Sequence, residues 1–520
     1  MPGSEESAGE RTFSRADPSS ETGRHGTARS QEKRPLLTTT PAQGDPQQPR
    51  SAETAEAAWV RWVQLVVSLS VMFTRFAIAT MLTSFFATVC TYHGISAAVN
   101  GLIMSTYPIG VTAGSLISAS FILRFGTRMC VATGLSLTAL FMMLFGLVPD
   151  ILGLSASPRT IAVGFALAYL LSGLTGAVSE TACIALCGRK FQDRVGSVMV
   201  AVGNACGLGC MLGPPVGGWL YEYGNLDPAW RFRLPFGFVM ALALLMAAIS
   251  VCVLPNDRIV ESKVSSGLSD IMDVLTPNVV LTVIALALNG GVVASLDPTL
   301  AYRLGAPPFS FNSAMVGIYF MYSSVAYILV GILLGPLIDR FSKVPSALKL
   351  IQAVCFFILF VSFTLMGPLL FLPISIKIAI NTSHPAMIVA MVLKGIGSAG
   401  NTAAYPDLIA DAGDTPEASA ALSSLYNGGY AFGWAGGELL GGVIFSAMHD
   451  AAQWSLRTLK MPTSFLSGNA AGFDMYATAM AMTSVIYGCV LCFGACGTKA
   501  QKHRQRVSSG GSQEARYEAI

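Results

Sequence analysis

Seven ionisable residues interrupt long apolar segments of this 520-residue chain, and their chemistry is the first clue to function. They are Arg75, Glu180, Asp297, Lys394, Asp407, Asp411 and Glu438. A charged side chain at mid-bilayer costs about 2.5–3.5 kcal/mol on insertion scales, so it is kept mainly where it faces a partner or a wet cavity. Five acids outnumber two bases, and full pairing would still leave three carboxylates over. This excess favours a cavity that accepts cations and protons.

Buried carboxylates can exchange one positive charge for another. Desolvation disfavours the charged acid and a nearby cation favours it, so a proton and a substrate ammonium can compete for one side chain. We predict this role for Glu180 and Glu438, with a structural ion pair to Arg75 as the alternative for either acid. Arg75 is then a counter-ion inside one bundle or, if it is unpaired, the anchor for a carboxylate substrate.

The other intramembrane charges have more local explanations. Asp407 follows Pro406, which lacks an amide hydrogen and opens a helix locally, and such broken turns commonly line binding sites. Asp297 precedes a proline near a helix end. The residues alone are therefore as consistent with a carboxylate that solvates this helix end as with one that binds substrate. We interpret Asp411 as a solvated helix end, and Lys394 as a base whose stem lies in the membrane while its head reaches the surface.

Aromatic and amide side chains in the last third of the chain could form a wall suited to an ammonium through cation–π contact. Ordinary packing is the alternative, because aromatic residues at helical spacing usually fill a core. The residues predicted for this wall are Asn401, Tyr405, Asn427, Tyr430 and Trp434.

Composition places these charges in a polytopic membrane protein. Apolar residues make up 53% of the chain and charged residues 12%, with a mean hydropathy of +0.58. The net charge of +3 gives no indication of nucleic-acid binding. The eleven cysteines and five histidines show no metal-ligand spacing, and neither a P-loop nor a His-Glu-x-x-His motif is present. We therefore predict no catalytic residues, no metal and no cofactor, and coupling to an ion gradient instead of ATP.

Twelve apolar segments are long enough to cross a bilayer, which predicts an all-α membrane protein. They begin near Trp59, Ala98, Met129, Thr160, Arg194, Phe232, Pro277, Phe311, Ser346, Ala386, Ala418 and Asp474. We predict two six-helix bundles, 59–254 and 277–497, joined by a cytoplasmic linker at 255–276. Residues 1–58 and 498–520 are predicted to be cytoplasmic tails, the first disordered, because Lys and Arg are more frequent in the loops on that side.

Two internal repeats support the duplication. Gly209, Gly213, Gly217 and Gly218 recur 224 residues later as Gly433, Gly437, Gly441 and Gly442, and glycines at this spacing allow two helix backbones to approach. Glu438 takes the place of Pro214 in the second copy. The segments 119–128 and 335–343 form the other repeat and predict tight turns between helices. The second turn contains Asp339 and Arg340, whereas the first has Leu123 at the acidic position.

These motifs resemble the major facilitator superfamily, whose loop signature is G-x-L-x-D-R-x-G-R and whose antiporter signature is G-x-x-x-G-P-x-x-G-G. Residues 59–497 are also similar to the vesicular amine transporters, especially the polyamine-transporting branch. The segments that carry this similarity begin at Leu144, Gly207, Leu296, Met366 and Tyr405. The resemblance implies a central cavity between two bundles, uptake of amines driven by protons, and acidic positions in helices 7 and 10 at Asp297 and Asp407. The chain departs from the family pattern at Tyr169, Leu123 and Glu438, where the family usually has an arginine, an acid and a proline.

Short signals outside the membrane concern localisation. Glu32, Leu36 and Leu37 form a pattern similar to the acidic dileucine signal read by clathrin adaptors, which predicts an endosomal, lysosomal or other vesicular membrane, with the plasma membrane as the alternative. Asn381-Thr-Ser383 is a glycosylation sequon on the predicted luminal side.

We therefore expect a secondary carrier that exchanges protons for an organic cation, a polyamine or a monoamine, by rocking two bundles about a central site. Two alternatives stay open from the sequence. One is a carrier of an organic anion or a neutral nutrient anchored by Arg75. The other is a receptor or scaffold that keeps the fold without transporting.

Overall fold

The computed structural model describes residues 50–153, 156–191, 195–223, 227–255, 275–341, 344–368, 374–404, 407–408, 416–458 and 468–517. Over these ranges the chain is helical and contains no β-strand. The N-terminal half contains α1 (Arg50–Thr80), α2 (Phe86–Tyr92), α3 (Ala97–Phe125), α4 (Thr127–Leu152), α5 (Pro158–Lys190), α6 (Val195–Glu222) and α7 (Pro228–Val253). A 3₁₀ turn at Met81–Ser84 lies between α1 and α2.

The C-terminal half repeats this plan. It contains α8 (Pro277–Ala294), α9 (Leu300–Gly305), α10 (Ser313–Phe341), α11 (Pro345–Met366), α12 (Ile374–Asn381), α13 (His384–Ser398), α14 (Pro416–Thr458) and α15 (Gly468–Tyr517). A second 3₁₀ turn, Ala399–Ala403, follows α13. Among the described residues, ten helices are long and apolar enough throughout to span a membrane, and α3 and α6 are of similar length. The predicted all-α membrane fold with twelve spans is confirmed.

Local sequence fixes where several spans begin. Ser96, Ser157, Thr276 and Ser383 each accept a hydrogen bond through the side-chain oxygen from the backbone N–H three residues later. In three of these helices proline occupies the first turn, where no amide hydrogen is needed. The first residues of these helices can therefore be predicted from the sequence, because each N-cap is a Ser or Thr.

The largest apolar clusters follow the two halves of the chain. Large aromatic side chains such as Phe85, Phe145 and Phe236 pack together in the N-terminal half. Phe363 and Tyr476 belong to a separate cluster in the C-terminal half. Each half therefore has its own large apolar cluster, and a few residues of the other half pack against each one.

Glycines bring the helices of the N-terminal half into backbone contact. We call the end of the spans where α1 begins the proximal end, and the opposite end the distal end. A Cβ on the α6 glycines would come within 2.5–2.6 Å of a carbonyl oxygen of α1 or of the 3₁₀ turn that follows it. The pairs are Gly209 with Phe73, Gly213 with Ala77, and Gly217 with Met81.

The C-terminal half repeats this contact between α14 and α8. A Cβ on the α14 glycines would press on backbone carbonyls in the same way. The pairs are Gly433 with Ala287, Gly437 with Gly291, and Gly441 with Ser295. The duplicated glycine motif thus performs the same packing task in both halves.

The two halves of the chain are in close backbone contact at the distal end. There Gly218 lies against Ser313 of α10, and Gly442 lies against Gly101 of α3. Towards the proximal end Gly207 of α6 packs against the side chains of Ile328 and Tyr327 of α10. The closest contacts between the halves at these glycines are therefore backbone contacts at the distal end.

The predicted turn after the second span is shorter than the repeat suggested. Helix α3 continues through Phe125 and α4 begins at Thr127, so Gly126 alone makes the turn, with a φ of 80° that favours glycine. In the second copy α10 likewise continues through Asp339 to Phe341. The charges of the repeat therefore lie in the last turns of helices, with Arg124 in α3 and Arg340 in α10.

Candidate functional site

One ion pair lies between two helices of the N-terminal half. Arg75 of α1 donates from Nη2 to Oε2 of Glu180 on α5, at 2.6 Å. Arg75 is buried, whereas the Glu180 side chain is 20% exposed. The guanidinium lies 5.6 Å from the ring centroid of Tyr107 and against the Cα of Gly176, where a Cβ would overlap it. Gly176 is a site residue that the sequence analysis missed, because the need for a glycine depends on the path of Arg75.

Two acids lie together in the C-terminal half. Glu438 of α14 is 2% exposed, and its Oε1 accepts a hydrogen bond of 3.0 Å from the indole N–H of Trp434. Its Oε2 has no hydrogen-bond partner within the described part of the chain. Asp297, in the break between α8 and α9, is partly exposed, interacts electrostatically with Glu438 and lies within reach of the same indole. The structure therefore brings Asp297, Glu438 and Trp434 together, and we call them the acid pair and its indole.

Lys394 faces the acid pair from α13. It is buried, its ammonium lies 5.6 Å from the ring centroid of Phe320, and it interacts electrostatically with Asp297. The sequence analysis interpreted Lys394 as a base reaching towards the surface, and its burial in the bundle corrects that interpretation. Together with Arg75 and Glu180, these side chains combine three acids with two bases, which leaves one negative charge over at full ionisation.

Aromatic side chains connect the acid pair to the N-terminal bundle. The ring of Trp434 lies 6.1 Å from Tyr107 and 6.5 Å from Tyr430. Tyr107 stacks obliquely on Tyr169 at 4.8 Å, and the Tyr169 hydroxyl donates to the carbonyl oxygen of Ala79. Tyr169, which stands where an arginine is usual in the resembling family, therefore ties α5 to α1 without adding charge.

Asp407 lies away from this cluster, at the proximal end of the C-terminal bundle. Both of its oxygens lie 3.0 Å from Nζ of Lys349, and both side chains are 0% exposed. Asp407 also accepts from the hydroxyl of Thr282 at 2.7 Å and from the amide of Gln352 at 3.3 Å. Lys349 is the partner that the sequence analysis missed. The available signal was its position only one turn into the ninth span, with Gln352 on the same face.

The structure describes only part of the aromatic and amide wall that the sequence predicts. Asn401 is buried beside Tyr327, and its Oδ1 has no hydrogen-bond partner within the described residues. Tyr405, Asp411 and the tail signals at Glu32, Leu36 and Leu37 lie outside the described residues, as does the side chain of Asn427.

The predicted gating residues occupy three settings. Gly209, Gly213 and Gly217 form the contact with α1 described above, and Gly218 faces α10. The carbonyl of Pro214 would meet a Cβ on Gly317 of α10 at 2.5 Å. Arg340 is exposed at the end of α10, next to Asp339, whose side chain is not described.

Curated relatives and a family model give independent findings about the chain. The model of the Major Facilitator Superfamily matches residues 65–435. The chain is similar to the MFS-type transporter SLC18B1 of Homo sapiens, with 25% identity over 436 residues that cover 82% of this chain and 84% of that protein. The Rattus norvegicus protein of the same name is 25% identical over 380 residues, which cover 70% of this chain and 76% of that protein.

Solved structures show the same architecture. A bacterial homolog of the human lysosomal transporter Spinster, in an inward-facing and unoccupied conformation, aligns with a TM-score of 0.58 at 15% identity over 84% of this chain and 97% of its own. The nucleoside transporter NupG aligns with a TM-score of 0.59 at 10% identity over 82% and 98%. The fold agrees with the family match, which spans most of the sequence. The chain therefore belongs to the Major Facilitator Superfamily and is a multi-pass membrane transporter, not an enzyme.

Proposed function

We propose that this transporter exchanges protons for an organic cation, a polyamine or a monoamine, by alternating access of a central cavity. The observation that carries the proposal is the acid pair, because Asp297 and Glu438 lie close enough to interact, and Lys394 is the base that interacts with Asp297 among the residues the structure describes. Two adjacent carboxylates resist double ionisation, so one of them holds a proton until a cation replaces it.

The surroundings of the acid pair suit an ammonium. Trp434, Tyr107 and Tyr430 present aromatic rings next to the carboxylates, and a cation over such a face gains about 0.5–2 kcal/mol. Asp297 and Trp434 are both partly exposed, so solvent reaches these two side chains, whereas Glu438 is buried behind them. Glu180 is also partly exposed and forms an ion pair with Arg75. A second ammonium of a longer polyamine would compete with Arg75 for this carboxylate.

We place Asp407 outside the exchange site. It holds four contacts from Lys349, Thr282 and Gln352, and it has no exposed surface through which a substrate could reach it. Its role in this proposal is to hold α8, α11 and the segment after α13 together at the proximal end.

The test is uptake into proteoliposomes under an imposed pH gradient, with spermine, serotonin and succinate as substrates. We expect gradient-dependent uptake of an amine, and a loss of about tenfold or more in Asp297→Asn and in Glu438→Gln, which corresponds to about 1.4 kcal/mol or more per lost interaction. Asp150→Asn is the matched control, since Asp150 forms an exposed ion pair with Arg233 far from the acid pair. Full amine exchange in both cavity variants would overturn the proposal.

A second candidate is transport of an organic anion. It is favoured by Nε and Nη1 of Arg75, which are buried and have no hydrogen-bond partner within the described residues, so they would bind a carboxylate once a movement of the helices exposed them. Uptake of succinate that disappears in Arg75→Gln, without amine uptake, would select this candidate. Amine uptake that ignores succinate would exclude it.

We also propose a vesicular membrane with both termini in the cytosol, so that the proximal end faces the cytosol. The support is the excess of basic residues in the proximal loops and the dileucine pattern of the tail. Replacement of Leu36 and Leu37 by alanine should move the protein towards the plasma membrane if clathrin adaptors read this tail. An unchanged distribution by microscopy would contradict the sorting proposal without affecting the transport proposal.

A further inference from the structure

Two contacts between the bundles close the distal end, and they are related by the internal repeat. In one, Gly317 of α10 lies under the carbonyl of Pro214 on α6. In the other, Gly101 of α3 lies under the carbonyl of Glu438 on α14. A Cβ on either glycine would meet the opposing oxygen at 2.5 Å, so the two contacts are equally tight. Only the second contact includes an acid.

The same segment of α3 also holds the other acid. Asn100 is fully buried, and its Nδ2 donates a hydrogen bond of 3.0 Å to the carbonyl oxygen of Pro298. Pro298 directly follows Asp297 in the break between α8 and α9. Asn100 and Gly101 therefore contact the backbone of Glu438 and of the residue directly after Asp297, and they belong to the opposite half of the chain.

The charge of the acid pair has a direct consequence for this contact. Glu438 is almost fully buried, with one oxygen lacking a hydrogen-bond partner within the described residues, so an ionised carboxylate is poorly solvated while α3 lies on α14. Separation of α3 from α14 would admit water to it. The groups that face Glu438 are Asp297 from the α8–α9 break, Tyr107 from α3 and Tyr169 from α5, and Lys394 on α13 faces Asp297.

We propose that Asn100 and Gly101 are positioning residues that couple the charge state of the acid pair to opening of the distal end. Neutralisation of Glu438 by a proton stabilises the contact between α3 and α14, and ionisation weakens it. The contact between α6 and α10 closes the same end but has no part in sensing charge. The inference rests on the proposed function in that it assigns a regulatory role to the same acids.

The experiment measures distal opening directly, with spin labels attached through an unnatural amino acid at the exposed residues Arg159 and Asp450. Arg159 begins α5 in one half, and Asp450 lies near the distal end of α14 in the other. Distance distributions are recorded in nanodiscs between pH 5 and pH 8. We expect the population with the longer distance to grow as pH rises, and Glu438→Gln to abolish this response.

The matched variants are Gly101→Ala and Gly317→Ala, which place the same methyl group against the two related carbonyls. We expect both to increase the distal-open population, but Gly317→Ala to keep the pH response and Gly101→Ala to lose it. Asn100→Ala, a milder change without a steric clash, should shift the midpoint of the response by about one pH unit or remove it. Asn100→Ala therefore decides the question if Gly101→Ala is poorly folded or is open at every pH.

A wild-type response retained with an unchanged midpoint in Asn100→Ala would overturn the coupling, and so would a wild-type distance that does not depend on pH. Uptake assays on the same samples separate this inference from the proposed function. Amine exchange with no effect of Asn100→Ala on the midpoint defeats only the coupling. A pH-dependent distance in a protein that takes up no amine defeats only the proposed substrate.

Discussion

The two halves of the molecule share one packing scheme and differ in charge. Gly209 on α6 meets Phe73, and Gly433 on α14 meets Ala287, so α1 and α8 occupy equivalent places. By this correspondence Arg75 in the first half is matched by Asn289 in the second, because each lies two residues beyond the equivalent contact. The glycines therefore preserve the fold, while the positions between them are free to differ.

The two halves differ in how their intramembrane charges are balanced. The first half contains a base and an acid that neutralise each other, Arg75 and Glu180. The second half replaces Pro214 by Glu438 and gathers Asp297 beside it, so that acids outnumber the base that faces them. The two halves therefore keep glycine at the positions where helix backbones touch. They differ in charged side chains at the positions between those contacts.

The two buried ion pairs sharpen this contrast and give the largest expected effect. Lys349 and Asp407 are both fully buried, so Lys349→Ala leaves an uncompensated charge and should lower the free energy of unfolding by about 3–5 kcal/mol. Glu180→Gln should cost less, because Glu180 is partly exposed to water. Thermal unfolding of purified protein in detergent measures both.

Replacing both partners at once, in Lys349→Met with Asp407→Leu, removes the buried charges together and should recover much of the stability lost in Lys349→Ala. If Lys349→Ala unfolds at the wild-type temperature, the pair does not hold the proximal end together.

The repeat symmetry itself can be broken one half at a time. Gly209→Ala and Gly433→Ala each place a methyl group against a backbone carbonyl, which should cost about 1–3 kcal/mol in either half. Gly436→Ala is the control, since a Cβ there has nothing within 4 Å and alanine is the better helix former. Thermal unfolding should rank the control at or above wild type, and an equal loss in all three variants would contradict the packing argument.

Trp434 tests whether the acid pair depends on its indole. Trp434→Phe keeps an aromatic ring but removes the donor to Glu438, and a hydrogen bond to a charged group contributes about 1.5–3 kcal/mol. We expect the pH dependence of amine exchange to change and the thermal unfolding temperature to fall, because Glu438 is 2% exposed and would lose its indole donor. Tyr430→Phe, which keeps the ring and removes only a hydroxyl, is the comparison. The same pH profile in wild type and Trp434→Phe would remove the indole from the mechanism.

The smallest effect is expected at the exposed pair between Asp150 and Arg233. Both side chains are partly exposed, so Asp150→Asn should alter stability by about 0–1 kcal/mol and leave exchange unchanged. A large loss of exchange in this variant would show that charge outside the cavity matters, and would weaken the contrast between the halves.

The sequence analysis predicted the fold more completely than the site. Hydropathy identified the spans because about 20 apolar residues are required wherever a helix crosses the bilayer. Glycine spacing identified the repeated seams, since small residues are needed wherever backbones approach. Both are local rules, and resemblance to the major facilitator superfamily is confirmed by the family match. The division into 59–254 and 277–497 stays a prediction, as do the roles of the site residues.

The pairing of the charged residues could not be predicted from such local rules. Arg75 and Glu180 are 105 residues apart in the chain, and Lys349 and Asp407 are 58 apart. Hydropathy could place Lys349 at the start of a span but could not decide between solvent and a buried carboxylate. The need for glycine at position 176 was equally hidden, because it arises only from the path of a side chain on another helix.

By itself the sequence determined that this chain crosses the membrane many times, repeats one bundle twice and holds an excess of acids in its spans. Only the tertiary structure decided which acids are neutralised, Glu180 by Arg75 and Asp407 by Lys349, and which two lie together beside a single indole. The physical reason is that membrane insertion depends on each segment's own composition, whereas the state of a buried charge depends on what distant segments bring within a few ångströms of it.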